Sequence, residues 1–266
     1  MSPEPQDGYR IRAVVRAAQV LELLRVADRG ATINELAAGA ELPKPSTFRM
    51  LRTLEELGLA ERVPGGDRWR LGVRCLEFGQ AYLEQVDLRR EALPVMERLR
   101  DEVNETVHLA VLDDHLDVVY LEKLETTHAV GIMMSRVGRT APSYCTGLGK
   151  ALLSVHPADP VEILATRGGL ERHTPNTICD AGELRAELER IRERGYSLDL
   201  EEHELGVRCV AAAFVEPGGG SAAAVSIAGP ADRMPEVDLR GRLANALVEA
   251  VREIGRRMGA REDQTA

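Results

Sequence analysis

An α+β architecture is predicted: an N-terminal winged helix-turn-helix, a linker helix, and a C-terminal domain built on a mostly antiparallel sheet. Three observations predict it. From Thr32 to Leu71 the chain reads as a short helix, a tight turn, a second helix and then a strand–turn–strand. From Thr106 onward the apolar pattern shifts to short strands joined as hairpins rather than as regular βα units. The length of 266 residues suffices for two domains, each with its own core. The boundaries read as residues 10–73 for the winged helix-turn-helix, 74–86 for the linker helix and 87–258 for the second domain.

Val14, Ala17, Ala18, Leu21 and Leu24 trace one face of a first helix ending near Asp28-Arg29-Gly30. A break from Gly39 to Pro43 leads into the second helix of the helix-turn-helix, Lys44 to Leu57, with Gly58 as its stop. Phe48, Leu51, Leu54 and Leu57 recur at steps of three and are expected to face inward. Ser46 and Thr47 stand near the helix start, where hydroxyls cap backbone N–H groups or meet phosphates. Arg49 and Arg52 lie off the apolar stripe, free to reach outward. Strands at Leu59–Val63 and Trp69–Leu71 flank a tip of turn formers, Pro64-Gly65-Gly66-Asp67, followed by Arg68 and Arg70. Such a module lays its second helix in the DNA major groove, so Lys44, Ser46, Thr47, Arg49 and Arg52 are the expected DNA contacts. Arg68 and Arg70 are expected on the wing.

Helices follow at Gly72–Gln85 and at about Arg89–Val103. Val107–Leu112 and Asp117–Leu124 read as a hairpin, with Val130–Met134 as a third strand. Short helices are expected at Gly149–Val155 and Pro160–Thr166, an amphipathic one at Ala181–Arg194 closed by Gly195, and a long closing helix at Pro235–Met258. Tyr196–Leu200, Val207–Val215 and Ala222–Ala228 read as strands. On the last two, one face is bulky and the other small: Cys209, Ala211 and Ala213, then Ala222, Ala224, Ser226 and Ala228. Small side chains either admit a closely packed helix or leave room for a ligand.

The net charge of −9 is unevenly placed. Residues 1–75 hold 12 Lys+Arg against 10 Asp+Glu, and the remainder 22 against 33, so a mildly basic part precedes an acidic body. That asymmetry limits nonspecific attraction to nucleic acid. No run of 18 apolar residues suggests a membrane span, and Met1 to Tyr9 lacks the apolar centre of a signal peptide. A cytoplasmic protein is expected. Cys75, Cys145, Cys179 and Cys209 form no C-x-x-C pair and read as reduced thiols.

The turn before Lys150, Tyr144-Cys145-Thr146-Gly147-Leu148-Gly149-Lys150-Ala151, is not a P-loop, since Tyr144 replaces the first glycine and Ala151 the Ser/Thr after the lysine. Lys150 reads as a surface lysine or as the partner of a carboxylate within the fold. Gly195 to Val207 gathers four carboxylates and His203, and reads as a solvated loop between strands.

Together these residues resemble the IclR family of bacterial transcriptional regulators. The resemblance rests on Ser46-Thr47-Phe48-Arg49-Met50-Leu51, on Gly147-Leu148-Gly149-Lys150-Ala151-Leu152-Leu153, on the run from Gly195-Tyr196 to Gly206-Val207-Arg208-Cys209-Val210-Ala211, and on Ser226-Ile227-Ala228-Gly229-Pro230. It covers about residues 10 to 258 and implies a GAF-like effector-binding domain after the linker helix. It also implies homodimers or dimers of dimers on double-stranded operator DNA, answering to small organic acids or related catabolites. Residue by residue it implies an effector pocket at Gly147, Leu148, Asp199, Cys209 and Ser226, which favours the ligand-space reading of the small faces. Leu148 stands where family members often carry alanine, narrowing the pocket. Ala228 stands where some carry a second serine, removing a hydrogen-bond donor.

Two other readings compete. A Cys/His-dependent enzyme would need Cys145 or Cys209 held beside a base such as His108 or His203, and no local signature pairs them. A metal sensor would need clustered ligands, and His108, His115, His128, His156, His173 and His203 show no i, i+4 pair. The sequence therefore implies no catalytic residues, no cofactor and no metal site.

Overall fold

The computed structural model describes residues 11–85, 87–126, 135–215 and 222–259. The strand expected at Val130–Met134 and His128 lie outside the described residues. The chain divides into two compact units, Met1–Gln85 and Val86–Ala266.

In the first unit α1 (Arg12–Val26) is followed by β1 (Ala31–Thr32), α2 (Ile33–Gly39) and α3 (Lys44–Glu56), then β2 (Ala60–Arg62), β3 (Arg68–Leu71) and α4 (Arg74–Gln85). A capping box starts α2: Thr32 Oγ1 accepts from the Glu35 N–H at 3.3 Å, and the Glu35 carboxylate accepts from the Thr32 N–H at 2.7 Å. A Schellman motif ends α3, with the Leu59 N–H donating to Leu54 O, the Gly58 N–H to Glu55 O, and Gly58 at φ +72°. The three strands pair antiparallel in the order β1-β3-β2. Val20, Leu24, Leu36, Leu51, Leu54 and Trp69 form the core between helices and wing.

The inward face of α3 differs from the expected stripe. Thr47, Leu51 and Leu54 are buried, whereas Phe48 is 41% and Leu57 47% exposed. Steps of three fall about 60° short of a full turn each, so residues 48 to 57 drift about half-way round the helix. On α1 the face is likewise Val20 and Leu24, with Val14 exposed.

The second unit opens with α5 (Asp87–Val103), then β4 (Thr106–Leu112), β5 (Val118–Leu124), β6 (Thr140–Ala141), α6 (Gly147–Ser154), α7 (Pro160–Thr166) and α8 (Ala181–Arg194). It closes with β7 (Ser197–Leu200), β8 (Val207–Val215), β9 (Ala222–Pro230), α9 (Glu236–Arg240) and α10 (Arg242–Arg257). The expected single closing helix is thus two, broken at Gly241, whose backbone (φ −113°, ψ −104°) leaves the helical region. The six strands lie in the order β6-β5-β4-β9-β8-β7, every neighbouring pair antiparallel.

Register brings the small residues into rows across one face. Asp199, Cys209, Ala228 and Thr106 stand opposite one another in sequence, and beside them Ser197, Ala211, Ser226 and His108. The α6 helix packs onto this face so closely that a Cβ at Gly147 would collide with Cys209 Sγ, and one at Gly149 with the Ser143 backbone. Thr146 caps the helix, its Oγ1 accepting from the Gly149 N–H at 3.2 Å. Close packing, one of the two alternatives set on sequence, is realised where α6 meets this face.

Candidate nucleic-acid interface and effector cavity

The outer surface of α3 carries Lys44, Ser46, Arg49 and Arg52. Lys44, Arg49 and Arg52 are exposed and Ser46 is half-buried. Arg49 makes only a long contact, 3.5 Å, to Ser46 Oγ, while Arg52 is paired with Glu55 at 2.5 Å. Both guanidiniums are therefore on the surface, and an exposed i, i+3 pair is weak enough to exchange for a phosphate or a base edge.

Thr47 corrects the sequence expectation. It is fully buried and its hydroxyl donates back to Pro43 O at 3.3 Å, so it supports α3 from beneath and has no path to DNA. No side chain caps α3, whose N-cap is Pro43. The wing arginines are also engaged within the unit. Arg68 donates to Gly30 O at 2.7 Å and reaches Glu35 at 3.3 Å, tying the wing to the start of α2. Arg70 pairs with Glu61 across the hairpin at 2.6 Å. Arg62, not singled out on sequence, lies with its guanidinium 4.9 Å from the centre of the Trp69 ring.

In the second unit a cavity of about 410 Å³ opens on the small-residue face. Gly147, Leu148, Asp199, Cys209 and Ser226 all line it, supplied respectively by the first turn of α6, β7, β8 and β9. Its volume lies in the range of small-molecule sites. Leu148 is buried against Ala110, Tyr120 and Ala211, taking up space at one wall.

The polar groups of the cavity have unequal charge states. Burial pushes the Asp199 carboxyl up to about 7; Lys150 opposes the rise and Glu202 adds to it. Asp199 also accepts from the Glu202 N–H at 2.8 Å, which fixes the turn after β7. Burial, helped by the nearby Lys123 ammonium, holds His108 down at about 3, so the imidazole is neutral. Its two nitrogens meet Ser226 Oγ at 3.3 Å and Ser135 Oγ at 2.8 Å. Burial likewise pushes the Cys209 and Cys145 thiols up, against any nucleophilic role.

The stretch after Gly195, expected as a solvated loop, is buried in part, while Leu205 and Gly206 stay exposed. Asp199 and Glu202 are buried, and the Glu202 carboxylate pairs with the buried Lys150 ammonium. Burial raises the Glu202 carboxyl despite that partner, in keeping with Oε2 finding no hydrogen-bond donor. A charge pair at such depth is costly to break one partner at a time.

Sequence reasoning missed His108, Tyr120, Ser135 and Arg139, which line the same cavity. The period-2 pattern that put Ser226 on the small face extends through register to His108, so the parity of β4 was a usable signal. Ser135 and Arg139 come from loop positions with no such pattern. Cys145 beside His203, a pairing weighed on sequence but given no local signature there, is present as a contact of Cys145 Sγ with His203 Nδ1 at 3.7 Å across 58 residues of chain.

An exposed basic helix on one compact unit and a buried polar cavity in the other define a class: a DNA-binding regulator with a sensory domain on the same chain. The model of the IclR helix-turn-helix domain matches residues 13–64, and that of the bacterial transcriptional regulator IclR C-terminal domain matches residues 80–256. The transcriptional repressor IclR of Escherichia coli is 31% identical over 252 residues, covering 94% of this chain and 90% of that protein. The HTH-type transcriptional regulator BhcR of Paracoccus denitrificans is 34% identical over 259 residues, covering 97% and 91%. The crystal structure of an IclR homolog complexed with 4-hydroxybenzoate from Microbacterium hydrocarbonoxydans superimposes with a TM-score of 0.75 at 28% identity, covering 93% of this chain and 99% of that one. The chain belongs to the IclR family, and it is a ligand-responsive transcriptional regulator. No described helix is long and apolar enough to cross a membrane.

Proposed function

We propose that the protein binds a pseudo-palindromic operator as a homodimer or dimer of dimers, and that a small organic acid or related catabolite in the cavity controls that binding. Lys44, Ser46, Arg49 and Arg52 make the phosphate and base contacts, with Arg70 available to a phosphate at the wing and Arg68 steadying it. Two copies of α3 about 34 Å apart would meet successive major grooves. Exposed apolar side chains on α1 and α4 (Val14, Leu76, Phe78 and Tyr82) support self-association of the first unit. The reading assigns the chain to the cytoplasm, beside its operator, and gives it no catalytic step.

One observation carries the proposal: the five residues Gly147, Leu148, Asp199, Cys209 and Ser226 surround a single hollow rather than a packed core. Arg139 at its border suits an acid group, while neutral His108 and Ser226 offer hydrogen bonds to a carbonyl or hydroxyl. Asp199 argues against a carboxylate placed directly on it unless one of the two is protonated. A thermal-shift screen of small carboxylic acids, with 4-hydroxybenzoate and an aliphatic 2-oxo acid among them, tests the cavity, since a ligand that binds only the folded chain raises Tm. A hit is expected to be lost in Ser226→Val and to change the DNA affinity of the wild type. Hits that survive Ser226→Val and leave DNA affinity unchanged would refute the assignment.

A further inference from the structure

We propose that the outer face of α10 and the end of α8 form a second binding site, apart from the effector cavity, for the phosphoryl group of a small metabolite. Asn245, Glu249, Arg252 and Arg256 recur along α10 at steps of four, three and four, which puts them on one face of the helix. All four are exposed. Arg194, the last residue of α8, and Tyr196 stand with them around a cleft of about 580 Å³. Val248 adds an apolar part to its lining.

The charges on this face are unmatched, unlike those beside it. Elsewhere on α10, Glu253 pairs with Arg98 of α5 at 2.5 Å and Arg257 with Glu91 of α5 at 3.3 Å. Neither Arg252 nor Arg256 has a carboxylate partner among the described residues. Like charges one turn apart on a helix repel, and an anion held between them removes that cost. The helix dipole accounts for Arg256, in the last turn, but not for Arg252. Glu249 is the only carboxylate among the described lining residues, against three guanidiniums, on a domain that is acidic as a whole.

The third arginine is held in place before any ligand arrives. Arg194 Nε donates to Tyr196 O at 2.6 Å, Nη2 donates to Glu187 at 2.7 Å, and the guanidinium lies 5.2 Å from the centre of the Tyr196 ring. Nη1 makes no hydrogen bond among the described residues and is left to meet a ligand. Guanidiniums grip phosphoryl oxygens with parallel N–H donors and, being weakly hydrated, give up water for an anion more readily than an ammonium does. Three positive charges match a phosphate dianion or a diphosphate better than the single charge of a carboxylate. Tyr196 leads directly into β7, which carries Asp199 to the effector cavity, so the two sites share an element.

The full chain would be titrated by calorimetry, at one fixed low salt concentration, with pyrophosphate, with ADP and with succinate. The expected result is saturable binding of pyrophosphate and ADP at one per chain, with succinate at least about tenfold weaker. Arg252→Gln combined with Arg256→Gln, both at exposed positions where folding is not at stake, weakens binding by about tenfold or more. Ser226→Val, in the effector cavity, leaves it unchanged. Equal affinities for pyrophosphate and ADP assign the site to the phosphoryl groups alone, whereas tighter binding of ADP assigns it to a nucleotide whose body uses Tyr196 and Val248. No saturable binding of either, equal binding of succinate, binding undiminished in the double variant, or binding lost in Ser226→Val would each overturn the site.

Discussion

Asp199 and His108 face the same cavity and respond to pH in opposite senses. Asp199 is raised from its usual value near about 4 to about 7. Its contribution to stability is full below the unfolded value and is lost as pH rises through the folded one, because the native state holds a proton that the unfolded state has released. His108 is lowered to about 3, so its contribution is full above about 6.5 and is lost as pH falls toward the folded value. Asp199→Asn keeps a carbonyl oxygen for the Glu202 N–H and removes the titration. Its Tm relative to wild type is therefore expected to climb between pH 4.5 and 7.5, at steps of about one pH unit in scanning calorimetry. A difference that stays flat or falls over that window would contradict a buried, protonated Asp199. At this scale the sequence was partly readable. Parity placed Cys209 and Ser226 on small-residue faces and the family resemblance implied a pocket there, whereas Thr47 turned inward because residue 47, not 48, shares a helix face with Leu51 and Leu54.

Among elements, α6 is the most constrained. A methyl group at Gly149 would strike the Ser143 backbone, which cannot yield as a flexible side chain would. Gly149→Ala is expected to destabilise the second unit severely, by about 3 kcal/mol or more, as overpacking against backbone does. Gly79, in the interior of α4, meets nothing within 4 Å, and Gly79→Ala should stabilise by about 0.5–1 kcal/mol. Chemical denaturation of both variants checks the pair; equal effects would mean that helical propensity, not close approach, governs Gly149. Thr32→Ala removes the cap of α2 and is expected to cost about 1 kcal/mol. Helix and strand positions followed well from sequence where local chemistry decides them: Gly58 and Gly195 end helices in the left-handed region as their placement implied. The break at Gly241 did not, since a single glycine in an apolar-periodic run is compatible with a continuous helix. The burial of Glu202 within the expected loop was illegible too, because its partner Lys150 lies 52 residues away in the sequence.

For the whole molecule, an acidic chain that binds DNA must concentrate its attraction in few contacts. The net charge of −9 offers no general affinity for phosphate, so the salt dependence of binding should report the α3 and wing residues. Lys44→Ala is expected to reduce the slope of log K against log salt by about 1 and to weaken all duplexes alike. Scattered histidines and cysteines show the limit of sequence at this scale. Cys145, His173 and His203 carry no spacing motif, and only the folded second unit brings them together. The central claim is that α3 reads DNA through its exposed arginines. It is tested most directly by titrating a duplex, selected from a randomised pool by the wild type, with wild type, Arg49→Ala and Arg52→Ala at one fixed salt concentration. The account predicts a loss of about 1–3 kcal/mol in at least one variant, with relaxed preference at a defined base pair; unchanged affinity and preference in both would contradict it.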